Sequence, residues 1–346
     1  MTDLEVLTPR EVPLGGPRAM TVRRTLPQRA RTLIGAWCFL DHYGPDDVAE
    51  TGGMVVAPHP HIGLQTVSWL FTGEIEHRDS AGNVAPVRPG ELNLMTAGRG
   101  ISHSEVSPAT TTVLHGAQLW VALPSGSRDV DPGFVHHAPD PLVRDGLEAR
   151  VFLGSLLGVT SPVATHTPLL GAELLLEPGA RVELEVDPAF EHGVLVDAGA
   201  VALEEADGEQ RLARDELGYV APGRDRLVLV AGEERVRLLL IGGPPFGEQV
   251  VMWWNFLGST HEEVVAAREA WQAQVVAGED DLSDPEPHPR RHPDGAGGLP
   301  ERPAALERVV PTGADVRPGR FGVVPGQPLA PIPAPPLPNA RLRARG

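Results

Sequence analysis

Met95-Thr-Ala-Gly98-Arg99-Gly100-Ile101-Ser-His103-Ser-Glu105 decides how this 346-residue chain is read. Behind a glycine-broken loop, His103 and Glu105 stand at i and i+2. Successive side chains on a β-strand alternate faces, so an i, i+2 pair points one way. A second pair with the same spacing, His59-Pro60-His61, lies upstream. Two such pairs on neighbouring strands would aim three imidazoles and one carboxylate at a common point. That set is a ligand shell for a divalent transition metal, with coordination positions left over.

Working outward, the chain is punctuated as short strands and turns. Gln65–Phe71 reads as a strand, and Glu74-Ile75-Glu76-His77-Arg78 alternates. Asp79-Ser-Ala-Gly-Asn83 is a hairpin turn, and Arg88-Pro89-Gly90-Glu91 turns into Leu92–Met95. A second β-rich segment, residues 147–243, repeats this punctuation. Gly73, Gly82 and Gly90 correspond to Gly199, Gly208 and Glu216 at a constant offset of 126, the mark of an internal duplication. The same offset puts His59 on Glu185, His61 on Asp187, His103 on Leu229 and Glu105 on Ala231. Two of those four cannot bind a metal, so the second unit is expected to have the architecture without the site. Thr260 with Glu263 forms a capping box that opens a helix over 261–277, ended by Gly278. The expected division is 1–135, 136–278 and a Pro/Gly/Arg-rich tail, 279–346, extended or partly disordered. Within the tail, 320–324 and 329–337 hold enough apolar side chains to dock on the body or on a neighbouring subunit.

Composition excludes several classes. Aromatics are 5% of residues while Gly (39) and Pro (36) abound, which favours turns and short strands over long helices. The net charge of −17 repels nucleic acid and anionic membrane surfaces, so neither is an expected partner. The one cysteine, Cys38, permits no intramolecular disulfide and sits in an apolar run that suits a buried, inert thiol. No signal-like start and no membrane-length apolar run are evident, and a cytoplasmic location is expected.

The donor set of His59, His61, His103 and Glu105 suits iron(II), manganese, nickel or copper, whereas a closed zinc site would more often use thiolates. Other candidates read more blandly. His77 is taken as a surface or sheet histidine. His115 is placed in the barrel interior near the metal, supporting a ligand or simply packing. Asp41-His42 reads as a turn satisfying local backbone, and His136-His137 and His288–His292 as loop residues. There is no phosphate-binding Gly-Lys-Ser/Thr loop, no Gly-x-Gly-x-x-Gly and no Gly-x-Ser-x-Gly elbow, which removes nucleotide-dependent and serine-hydrolase readings.

Taken together, His59-Pro-His61, Gly73–Ser80 and Met95–Glu105 resemble the pirin family of bicupins. So do Phe39–Pro45 upstream and Gln118–Pro124 downstream. Gly242–Trp253 resembles the end of the pirin C-terminal domain, and the resemblance covers about 18–275. It implies an all-β fold of two tandem cupin β-barrels with a short C-terminal helix. It also implies a metal held by His59, His61, His103 and Glu105 in the first barrel and none in the second. Iron(II) is the metal implied; nickel, manganese and copper accept the same donors. Two departures, Ile62 and Gln65, stand where the family often has a basic residue and a Glu; they are read as removing charge near the site mouth.

Some pirins resemble quercetin 2,3-dioxygenases, which cleave a flavonol ring with dioxygen. That implies a small aromatic, flavonol-like substrate, with Glu105 as ligand or, on detaching from the metal, as catalytic base for the substrate hydroxyl. Two alternatives stay open. One is a non-catalytic, iron-dependent redox-sensing regulator acting through a protein partner. The other is a metal-free binding barrel.

Overall fold

The computed structural model describes residues 4–14, 20–205, 208–275 and 319–346. Glycines divide the chain into short β-branched and aromatic runs, and these pair antiparallel into two cupin barrels. Each barrel couples a seven-stranded sheet to a four-stranded one. In the first, the larger sheet runs Gly133–His137, Leu92–Thr96, Leu64–Thr72, Val113–Ala122, Trp37–Asp47, Thr21–Leu26, Arg10–Pro13. The smaller runs Val55–His61, Ile101–Val106, Ile75–Asp79, Val84–Val87. The second barrel repeats this order with Leu217–Val220, Glu191–Ala198, Val236–Gly243, Leu170–Leu176 and Leu147–Leu153 in the large sheet. Arg181–Glu185, Arg226–Ala231, Val201–Glu205 and Gly208–Leu212 form the small one. The N-terminal strand Leu4–Leu7 crosses over and pairs with Leu217–Val220 at the second barrel's edge.

The two large sheets face each other, and strand alternation assigns each side chain to one of two cores. On Leu64–Thr72, Val67, Trp69 and Phe71 point outward into a core shared with Phe152, Leu195, Leu239 and Ile241 of the second half. Ser68 and Leu70 point into the first barrel. The second barrel's interior is filled mainly with Leu, Val and Ala side chains, and the fully buried His192 sits among them beside Phe190. The first barrel instead keeps a polar floor around its histidines.

The 126 offset slips on one strand. His103 lies opposite His59 and Ile101 opposite His61, whereas Leu229 lies opposite Val182 and Leu227 opposite Leu184. By register, the counterparts of His59 and His61 are therefore the buried Val182 and Leu184. Glu185 and Asp187 are exposed. All four counterparts of the donors are apolar.

The helix spans His261–Gln274, and Thr260 Oγ1 accepts from Glu263 N at 3.2 Å. The Glu263 carboxylate reaches back to Ser259 N, 2.7 Å, rather than to the N-cap itself. The helix stops short of 277, because Val275 turns extended and buries its side chain beside Phe321. Gly278 and residues 279–318 lie outside the described residues. From Gly319 on, the tail docks on the body: Phe321 is fully buried against Phe256 and Trp271. No helix among the described residues is long and apolar enough to cross a membrane.

Candidate metal centre

The two donor-bearing strands, Val55–His61 and Ile101–Val106, are hydrogen-bonded neighbours, with a bulge between His103 and Glu105. Their inward side chains meet at the floor of a cavity of about 500 Å³. One ring nitrogen from each of His59, His61 and His103 lies within 4.8 Å of the other two. All three rings are buried. Glu105 lines the same cavity. One of its carboxylate oxygens groups with His103 and His77, again within 4.8 Å, and Oε1 accepts from Ser68 Oγ at 3.2 Å.

Hydrogen bonds set which nitrogen of each ring is free. His59 Nδ1 donates to the Ala57 carbonyl, 2.9 Å, and His61 Nδ1 to the Asn255 carbonyl, 3.2 Å. Their Nε2 lone pairs are thereby left for the cavity, where His61 Nε2 lies 3.0 Å from His103 Nε2. Behind His103, its Nδ1 faces His77 Nδ1 at 3.4 Å, and His77 Nε2 faces Asp79 Oδ2 at 3.4 Å. Asp79 is held in turn by Asn83 and by the Ala81 and Asn83 amides. The hairpin turn read from Asp79–Asn83 thus fixes a carboxylate that orients His103 through His77.

Burial also sets the charge state. It pushes His59 down to about 4, with the Ala57 carbonyl opposing, and holds His61 and His103 well below the usual imidazole range. All three are neutral near pH 7, the form that ligates. Burial raises Glu105, and nearby His77 and the Ser68 and Gln118 side chains oppose the rise.

The cavity walls are aromatic. Phe39 and Trp120 stack at 3.9 Å, Trp120 meets His61 edge-on at 5.1 Å, and Trp254 and Asn255 arrive from the hairpin after the second barrel. That hairpin approaches so closely that Gly63 is obligatory: a Cβ there would sit 2.2 Å from the Leu257 carbonyl, and φ is +69°. Arg24 also lines the cavity, but a bidentate pair with Asp41 (2.6 and 2.7 Å) and a seat over Phe39 occupy its guanidinium.

Several expectations are corrected. His77 is a sheet histidine, in strand Ile75–Asp79, but not a surface one: it is buried opposite Glu105 in strand register. Asp41 and His42 are not in a turn but inside strand Trp37–Asp47. Asp41 faces the cavity side through Arg24. His42 faces the second barrel, where Asp197 Oδ1 lies 2.6 Å from its Nε2 and 2.5 Å from His115 Nε2. His115 therefore belongs to this inter-barrel network, not to the cavity floor, because strand alternation puts it on the same face as Ala117, Leu119 and Val121 of the inter-barrel core. Arg237 braces the other Asp197 oxygen at 2.5 Å. Ile62 and Gln65 do not line the cavity. Ile62 packs against Val264 and Trp271 of the helix, and Gln65 donates to Thr96 Oγ1.

The residues missed in sequence are Gln118, Ser68, Asp79, Trp254, Asn255 and the tail residues Ile332, Pro333 and Pro335. Alternation with Trp120 could have flagged Gln118. Nothing in local spacing connects 254 or 332 to residue 59.

Comparisons with known proteins agree with this geometry. The family described as Pirin matches residues 19–121, and the Pirin C-terminal cupin domain matches 171–277. A Pseudomonas aeruginosa protein named "Putative quercetin 2,3-dioxygenase" is 44% identical over 270 residues, spanning 78% of this chain and 84% of that one. A pirin-like protein of Caulobacter vibrioides is 38% identical, spanning 73% and 88%. The crystal structure of a quercetin 2,3-dioxygenase from Acinetobacter baumannii superposes with a TM-score of 0.79. It is 35% identical and spans 99% of this chain and 97% of that one.

Proposed function

Because the chain belongs to the pirin family of cupin proteins, we propose that it is a metal-dependent oxidoreductase of the quercetin 2,3-dioxygenase type, acting on a small flavonol-like aromatic. The observation that carries this reading is the convergence of His59, His61 and His103 beside Glu105 on the floor of an aromatic-walled cavity. The donor set fits a mononuclear metal: three neutral imidazoles with lone pairs directed inward, and one carboxylate. Iron(II) is the proposed ion, with nickel, manganese and copper accepted by the same donors. Bound there, the metal would supply Lewis-acid and redox chemistry towards an ortho-oxygenated ring and dioxygen.

The chain's own residues do the rest. The half-buried Trp254 offers a face on which a planar ring can stack, while the Phe39–Trp120 pair, with Arg24 over the other face of Phe39, forms a fixed aromatic wall. Glu105, raised by burial and held by Ser68, is placed to accept a proton from a substrate hydroxyl. Arg24, already paired with Asp41, is not free to capture an anionic substrate.

The test is consumption of quercetin under air, followed by flavonol absorbance, with iron-loaded and metal-stripped protein side by side. Loss only with the metal is expected, and Glu105→Gln should slow it by about 10²-fold or more. No metal-dependent loss across several flavonols contradicts the proposal.

A further inference from the structure

The described part of the tail, residues 319–346, lies outside both family matches, yet it reaches the metal cavity. Ile332, Pro333 and Pro335 line it together with His59, His61, His103 and Glu105. The segment Pro331-Ile-Pro-Ala-Pro-Pro336 is stiff, because its prolines fix φ, and it has only two backbone N–H groups. Both are used: Ile332 N donates to the Pro58 carbonyl, 2.8 Å, and Ala334 N to Gln272 Oε1, 2.7 Å. Two carbonyls are also tied to the helix, Ile332 O by Trp271 Nε1 (2.8 Å) and Pro335 O by Arg268 Nε (2.7 Å). Upstream, Gln327 donates to Ser104 Oγ, between His103 and Glu105, and Ser102 Oγ donates to the Phe321 carbonyl. The tail is thus pinned to both histidine-bearing strands and to the helix, with Ile332, Pro333 and Pro335 lining the cavity and Phe321 and Ala334 buried against the helix.

Resting on the metal-site reading above, we propose that this segment is the specificity-determining wall of the cavity, with Ile332 and Pro335 setting how large an aromatic ligand reaches the histidines. A wall made of tail side chains would be remodelled by their volume alone. Ile332→Ala with Pro335→Ala trims it while keeping both N–H anchors. Ile332→Trp fills the space instead.

The experiment uses the full chain loaded with iron(II) and measures metal removal by two chelators, compact 2,2′-bipyridyl and bulky ferrozine. The trimmed variant should lose iron to ferrozine about tenfold faster and the filled variant about tenfold slower, with little change towards bipyridyl. Equal acceleration by both chelators would mean general loosening and overturn the proposal, as would unchanged ferrozine rates. Metal-free protein gives a second readout. Carbethoxylation of His59 and His103 by diethyl pyrocarbonate, read by peptide mass, should quicken in the trimmed variant and slow in the filled one; unchanged rates overturn the wall even if no iron is held. If no variant consumes quercetin while the chelator contrast holds, the wall stands and the dioxygenase reading falls.

Discussion

His103 is the donor with the most support behind its ring. His77 and Asp79 stand behind it in sequence, and the ring cannot swing without breaking that chain. Removing such an orienting partner usually weakens metal binding about 10–100-fold. His77→Ala should therefore lose affinity on that scale in a competition titration, while His77→Gln, which keeps a polar partner, recovers part of it. A second prediction concerns Glu173, buried between the barrels and pushed up to about 7, chiefly by burial against the pull of Arg150 and Arg237. Its pKa is raised on folding, so the unfolded chain releases the proton first. Stability then falls as pH rises from about 4.5 to about 7, by roughly 3 kcal/mol at most. Glu173→Gln should flatten that slope in denaturant titrations at pH 5 and pH 8. The grouping of His59, His61 and His103, with Glu105 beside them, was legible because i, i+2 spacing survives in any strand register. The Asp41-His42 reading failed for a physical reason. The glycine that follows, Gly44, marks no turn: a Cβ there would sit 2.2 Å from the Leu114 carbonyl of the paired strand, and φ is +81°.

Among the elements, the strand Arg181–Glu185 tests the duplication. Its outward Glu185 and the neighbouring Asp187 are exposed, and the inward Val182 and Leu184 take the histidines' places in the register. Glu185→Ala with Asp187→Ala should leave metal content unchanged, as measured by elemental analysis. A glycine offset could not reveal this slip, since the glycines that set it lie further along the chain and the turn after this strand is longer in the second repeat, 186–190 against 62–63. The helix was legible from its capping box. Where it ended was not, because Val275 leaves the helix to pack against Phe321, a residue far along the chain. Phe321 anchors the tail, and deleting a fully buried Phe side chain costs roughly 3–5 kcal/mol. Phe321→Ala should appear as local release: faster amide exchange at Ile332 and Ala334, with the barrel strands still protected.

At the scale of the whole molecule, the two barrels are welded by the core around Trp37, Trp69 and Phe152 and by the Asp197 network within it. Asp197 is held well below the usual carboxylate range: burial opposes ionisation, but His115 and His42 overcome it, and Arg237 hydrogen-bonds its other oxygen. Taking away that carboxylate strands three partners, which typically costs about 3–5 kcal/mol. Asp197→Ala should lower the melting temperature without altering metal content. This network joins residues 155 positions apart and left no trace in local sequence patterns. One polypeptide thus fills its second barrel mainly with aliphatic side chains, with the buried His192 among them, and gathers its histidine cluster in the first. Elemental analysis of the purified full chain beside His103→Ala tests this most directly. The expected result is roughly one transition-metal ion per wild-type chain and a large loss in the variant at unchanged fold. A wild-type chain without metal, or a variant that keeps its full complement, would contradict the account.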